Sequence, residues 1–303
     1  MSEPIPVTLP ESYRYACRVT RKSGSSFRLS FLLLPRSQYR AMCVLYAFMR
    51  LTDDLADACL PAESAENFRE TALHQWRSQL QACLIEGRDT HPLHPALRAV
   101  VREYSLEPHW LEDVITGVEY DLHPRLLPSY AELQHYCYLV AGTVGLCCQA
   151  LWRADITRTR ALAITCGEAF QLTNILRDLR EDALQNRCYL PQDELARFHC
   201  SPETFRLADA SPNVLALLEF QIERARQAYQ TALQLDACLT GPGRRMFRVM
   251  FRTYASLLEK IARNPAETLF RRAKLSRRQR LAILLTAPHQ QPRIFPACAV
   301  PED

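Results

Sequence analysis

Glycine is scarce in this 303-residue chain, with 8 copies where average usage would give about 20. The shortage argues against collagen-like, low-complexity and turn-dense all-β architectures, which depend on residues free to take unusual backbone angles. Long hydrophobic runs are missing too. No stretch of 18 apolar residues occurs, so no membrane-spanning helix is expected. Neither sign of charge is in large excess: the formal net charge is +4, well short of the basic surplus that marks nucleic-acid-binding domains, and no nucleic-acid partner is expected. The opening MSEPIPVTLP lacks the charged-then-apolar pattern of a secretory signal. Cysteine is plentiful, with 12 copies, but none stand as C-x-x-C, and adjacent Cys147 and Cys148 make a poor shared zinc site. Reduced, buried thiols in a cytoplasmic protein are the expectation.

What is present reads as helix. The chain is 48% hydrophobic and 23% charged, enough to bury a sizeable core. Apolar residues recur at helical spacing over 36–59, 64–86, 107–121, 130–152, 158–183, 212–238, 244–263 and 276–286. Breaks are expected at Pro92 and Pro95, Pro124 and Pro128, Pro191, Pro202, and Gly241-Pro242-Gly243. Strict apolar/polar alternation never persists long enough to require a sheet. The pattern predicts one all-α domain over residues 1–287 and a disordered tail over 288–303.

Two helix faces are rich in oxygen ligands. In YAFMRLTDDLAD (46–57), Tyr46, Arg50, Asp53 and Asp57 fall on one face, with Asp54 beside it. Carboxylates this close repel one another unless a positive group sits between them. Magnesium suits that place, since it takes hard oxygen ligands and commonly bridges carboxylates to substrate phosphates. A solvated face near a helix end is the alternative for such a stripe alone. A second stripe follows 125 residues later: in QLTNILRDLRED (171–182), Gln171, Asn174, Asp178 and Asp182 share a face. Arg177 can pair with Glu181 one turn on, or bind an anion. Opposed across a helical cavity, two such faces would clamp a magnesium–diphosphate cluster.

Taken in order, five segments resemble the squalene/phytoene synthase family, whose members condense prenyl diphosphates head to head. They are Ser25-Ser26-Phe27, LYAFMRLTDDLAD (45–57), YCYLVAGTVG (136–145), QLTNILRD (171–178) with Glu181-Asp182-Ala183, and RCYLP (187–191). The likeness runs from about residue 20 to residue 285. It implies an isoprenoid-synthase all-α fold around a central active-site cavity. It also implies that Asp53, Asp54 and Asp57 bind magnesium and diphosphate, with Asn174, Asp178 and Asp182 as the second metal-binding set. Diphosphate contacts fall on Ser23, Ser26, Arg50, Gln171, Arg177, Tyr136, Tyr189 and Tyr254, with Arg271 or Arg272 beyond them. Arg28 and Leu29 follow Phe27 where relatives often carry aromatics. Asn186 stands where glycine is usual before RCYLP, and asparagine tolerates a left-handed turn better than most residues.

The implied reaction joins two farnesyl or geranylgeranyl diphosphates through a cyclopropylcarbinyl diphosphate to a C30 or C40 product: phytoene, dehydrosqualene or squalene. Magnesium is the expected ion, with manganese as its alternative, and NADPH is needed only if the product is squalene. Substrate length and oligomeric state stay open. Alternatives are an enzyme that stops at presqualene diphosphate, a head-to-tail elongase or cyclase, and a non-catalytic relative that assembles at a membrane. Residues 241–280 hold 12 Lys or Arg against two Glu, which fits a solvated surface, diphosphate binding or peripheral contact with anionic lipid.

Overall fold

A computed structural model describes residues 7–23, 28–56, 62–123 and 125–292. Among them there is no strand. In chain order the helices are α1 (Leu9–Lys22), α2 (Arg28–Phe31), α3 (Arg36–Ala56), α4 (Ala62–Gln81), α5 (His94–Glu103), α6 (Pro108–Tyr120), α7 (Tyr130–Cys137) and α8 (Thr143–Leu151). They continue as α9 (Ile156–Leu184), α10 (Gln192–Arg197), α11 (Pro202–Arg206), α12 (Pro212–Ala232), α13 (Leu235–Cys238), α14 (Gly241–Arg263) and α15 (Arg277–Thr286).

Local signals set many of these boundaries. Thr8 and Glu11 form a capping box that starts α1, and Ser276 with Gln279 forms another for α15. Asp155 caps α9 by accepting the Thr157 amide at 3.1 Å. The break expected at Pro92 and Pro95 falls at residues 87–93, and Pro95 occupies the first turn of the helix that follows, α5, where its missing N–H costs nothing. The helix expected over 130–152 is interrupted by a π-helical turn at Tyr138–Gly142. That over 212–238 divides into α12 and α13. Residues Ala287–His289 form a 3-10 turn with Pro288 buried, while residues 293–303 of the expected tail lie outside the described residues. Arg248 donates to the Pro288 carbonyl at 3.3 Å.

Buried side chains from Ala16 to Ala273 form one continuous core. Helix α9, the longest, runs through it and packs on α8, α12, α13 and α14. Thr173 on α9 and Tyr229 on α12 share a buried hydrogen bond of 2.9 Å. Trp76 Nε1 on α4 donates to Thr52 on α3, also at 2.9 Å. The crossing of α9 over the π-turn and α8 is made possible by glycine. A Cβ at Gly167 would stand 2.6 Å from the backbone of Ala141 and Gly142, and one at Gly145 would stand 2.8 Å from the Ala163 carbonyl. Each glycine therefore admits a neighbouring helix backbone.

This close crossing gives the first prediction. In an open helix, glycine to alanine gains about 1 kcal/mol. Here overpacking reverses the sign, and Gly167→Ala should cost about 1–3 kcal/mol. A lowered urea midpoint at unchanged slope is the expected readout; a raised midpoint would show that the crossing has room to spare.

Candidate active site

Beneath the ends of α3 and α9 lies a cavity of about 450 Å³. Its walls are apolar: Val114 and Val118 from α6, Val140 and Val144 around the π-turn, Phe170 from α9, and Met246 and Phe247 from α14. Polar lining residues include Arg50, Asp53, Asp121, Tyr136, Gln171, Asn174 and Tyr254. The first acidic face and the start of the second thus meet on one cavity. Asp178 and Asp182 follow Asn174 along the same face of α9, one and two turns further on.

Both acidic motifs sit against the grain of their helices. Asp53 and Asp54 lie near the C-terminus of α3, and Glu181 and Asp182 near that of α9, with no basic residue in either last turn. The helix dipole is negative there and disfavours carboxylates. Arginines supply partial relief. Arg50 pairs with Asp54 one turn away. Arg177 pairs with its neighbour Asp178, its Nε 2.8 Å from Oδ1. Arg272, from beyond α14, grips the same carboxylate with bonds of 2.6 and 2.9 Å. Arg271 instead faces outward and pairs with Glu267, so of the two arginines that the sequence left open Arg272 is the one paired with the second acidic face.

Asp182 keeps an unrelieved burden. Burial, then the negative charges of Asp178, Asp121 and Glu181, push its carboxyl up to about 7, with Arg187 opposing. Arg187 follows Asn186, which takes the left-handed conformation (φ 59°) expected of it and lets the Arg187 amide donate to the Asp182 carbonyl at 2.8 Å.

Asp121, at the end of α6, is a site residue for which the sequence carries no signal. It stands alone in the chain, outside any stripe. The fold makes it an anchor: Tyr189 donates to it at 2.8 Å and Tyr136 at 3.1 Å. The two tyrosine rings stack with centroids 4.8 Å apart. Burial and the Asp121 charge raise both phenols, so they stay protonated as donors. Tyr254 stacks on Phe170 at 4.3 Å and is likewise raised by burial. Gln149 Oε1 and Trp152 Nε1, also on the cavity wall, are buried with no hydrogen-bond partner among the described residues.

Ser23 caps the end of α1, its Oγ donating to the Thr20 carbonyl at 3.0 Å. Ser26 and Asp57, both expected in the site, lie outside the described residues. The donors present fit a hard divalent cation. Asn174 Nδ2 donates to Gln171 at 3.1 Å, while its Oδ1 is buried without a hydrogen-bond partner among the described residues. An amide oxygen left so beside carboxylates suits a magnesium-type ligand set.

The family model described as squalene/phytoene synthase matches residues 20–279. A 15-cis-phytoene synthase from Synechococcus elongatus is 31% identical over 92% of this chain and 93% of its own length. A phytoene synthase from Arthrospira platensis is 32% identical over 88% and 89%. Among solved structures, a ligand-bound dehydrosqualene synthase superposes with a TM-score of 0.81 at 26% identity, covering 91% of this chain and 95% of that one. Squalene synthase HpnC from Alicyclobacillus acidocaldarius gives 0.78 at 22% identity, covering 86% and 97%, a likeness of fold. This chain belongs to the squalene/phytoene synthase family, an all-α family of prenyltransferases that acts on prenyl diphosphates.

The Asp182 environment predicts a pH effect in the metal-free protein. Its folded-state pKa lies above the ordinary carboxylate range, so between about pH 4 and 7 the folded state holds more of its proton than the unfolded state does. Stability contributed by this group therefore falls as pH rises through that window and stays low above it. In thermal denaturation with chelator, Asp182→Asn should melt increasingly above wild type from pH 4 to 7, then keep a constant lead. A lead independent of pH would refute the assignment.

Proposed function

We propose that this protein is a magnesium-dependent head-to-head prenyl synthase that makes phytoene from two geranylgeranyl diphosphates by way of a cyclopropylcarbinyl diphosphate. The observation that carries the reading is the meeting of Asp53, Asp121 and Asn174 on one apolar-walled cavity, with Asp178 and Asp182 continuing along α9. The C40 product is favoured over C30 because the relatives compared above at 31% and 32% identity are phytoene synthases.

Asp53, Asp57, Asn174, Asp178 and Asp182 would hold magnesium, which supplies positive charge to the departing diphosphate. Arg50, Arg177 and Arg272 add fixed positive charge to the same leaving group. Tyr136 and Tyr189, held protonated by Asp121, offer hydroxyls near the mouth. Gln171 and Tyr254 orient the diphosphate end, with Ser23 and Ser26 as further contacts. The apolar wall excludes water from the allylic cation, which would otherwise be captured as an alcohol. The double bond of the second donor attacks that cation, and loss of a proton closes the cyclopropane. Ionisation of this intermediate, rearrangement and loss of a second proton then give the triene core of phytoene, with no reductant required. Squalene would need a hydride from NADPH at that last step.

Asp53→Ala and Asp178→Ala should each lower turnover by about 10²–10³ or more while circular dichroism keeps its helical signal. Equal activity in either variant would remove the acidic clamp. Incubation with farnesyl or geranylgeranyl diphosphate and magnesium, with and without NADPH, identifies the product by mass. Phytoene from the C20 donor without NADPH is the expected result.

The two neighbouring arginines give a sharper test. Arg272→Ala should reduce kcat/KM by about 10², because it removes charge from the Asp178 carboxylate and the leaving group. Arg271→Ala should stay within about twofold, as expected for an exposed ion pair. Equal losses in both would mean that the split seen between them has no functional meaning.

A further inference from the structure

Away from the acidic cavity, the described residues hold a cluster of metal-ligating side chains. Helix α4 runs into a π-helical turn, Ala82–Glu86, closed by Gly87 in the left-handed conformation (φ 72°). A short loop, 88–93, then leads into α5. Cys83 from the turn, Asp89 from the loop and His94 at the start of α5 come together, with a ligand atom of each within 4.8 Å of the others. None of the three lines the central cavity. Cys83 is 0% exposed and His94 1%, so the cluster is interior and not a chance surface grouping.

Its geometry suits a tetrahedral ion. Cys83 Sγ lies 3.8 Å from Asp89 Oδ1, against about 3.6 Å between sulfur and oxygen ligands of a tetrahedral zinc. A thiol, an imidazole and one carboxylate select zinc-type cations over magnesium, which prefers oxygen ligands alone. Arg98 donates to both oxygens of Asp89, at 2.6 and 2.9 Å. Each oxygen keeps a second lone pair for an ion, and ligating carboxylates are commonly held by outer hydrogen bonds of this kind. Two buried polar atoms, His94 Nε2 and Thr90 Oγ1, have no hydrogen-bond partner among the described residues. Buried polar atoms are rarely left so unless an ion or a water meets them. The Thr90 amide donates to His94 Nδ1 at 3.1 Å. Ligation through either ring nitrogen gives up that bond, so the 88–93 loop adjusts as an ion binds.

We propose that Cys83, Asp89 and His94 bind a zinc-type divalent cation, with a water as fourth ligand that pairs with Thr90 Oγ1. Binding converts the Cys83 thiol to a thiolate and releases one proton to solvent. The ion fastens the end of α4 to the start of α5, at a junction on which α1 and α3 also pack. The His94 ring lies 5.8 Å from that of Trp76, which stacks on Phe48 of α3 at 5.7 Å. The Ala96 amide of α5 donates to Ser12 of α1 at 2.9 Å. This site is separate from the acidic cavity and stands whether or not the prenyl synthase reading does.

Metal titration of the full chain tests the site, after stripping with chelator and in excess magnesium so that the oxygen-rich faces take that ion instead. Cobalt(II), whose thiolate complexes show a charge-transfer band in the near ultraviolet, should bind at one equivalent and be displaced by zinc. Zinc should also raise the wild-type melting temperature. Cys83→Ser should abolish the cobalt band and weaken zinc binding by at least about 100-fold, while Asp89→Asn should keep the band and weaken zinc by about tenfold. Cys200→Ser, at a thiol outside the cluster, should behave as wild type. A band that survives in Cys83→Ser overturns the site. So does the absence of a band in wild type, which would leave ordered water as the partner of Thr90 and His94. Should Cys83→Ser fail to fold, Asp89→Asn decides alone: zinc affinity equal to wild type overturns the proposal.

Discussion

Carboxylates placed at the negative ends of two helices are the constraint on which this structure turns. Asp53 near the end of α3 and Asp182 near the end of α9 both lie where the helix dipole is negative, and neither last turn offers a basic side chain to offset it. Three arginines soften the conflict, but two of them, Arg50 and Arg177, belong to the same helices as the acids they pair with. Only Arg272 reaches in from a distant part of the chain. A cation–diphosphate complex brings both signs of charge at once. On the proposed reading it would satisfy the acids and leave the arginines to phosphate oxygens, so that relief of the crowded charge would contribute to binding.

That site can work only if its floor is dry. The backbone contacts at Gly145 and Gly167 bring the α7–α8 segment against α9 with no side chain between them. The π-turn at Tyr138–Gly142, which begins two residues beyond Tyr136, is part of this crossing, and such turns commonly accompany functional sites. Asp121 then holds the hydroxyls of Tyr136 and Tyr189 together near the acids. The same contacts that close the core therefore also fix the polar groups at its edge. This is why the site depends on residues far apart in sequence.

Much of this was legible beforehand because it is written in local periodicity. The stripes at 46–57 and 171–182 are helical patterns with a chemical content, and Asn186 could be read as a left-handed turn from its residue type alone. Cysteine, too, is mostly buried and unpaired among the described residues, as in Cys147, Cys148 and Cys166. What escaped was set by tertiary neighbours. Asp121 is one carboxylate at a helix end, and nothing within ten residues of it announces that two tyrosines converge there. Arg271 and Arg272 are adjacent and chemically identical, so only the path of the chain after α14 can tell them apart.

The division of polarity across the molecule has a further consequence for turnover on the proposed reading. Diphosphate, charged and well hydrated, can leave from the acidic mouth into water. A hydrocarbon of 30 or 40 carbons cannot follow it. At about 0.8 kcal/mol for each buried CH₂, releasing such a chain into water costs tens of kcal/mol, and release by that route would be too slow to sustain turnover. The product must pass from the cavity to another apolar phase without crossing water.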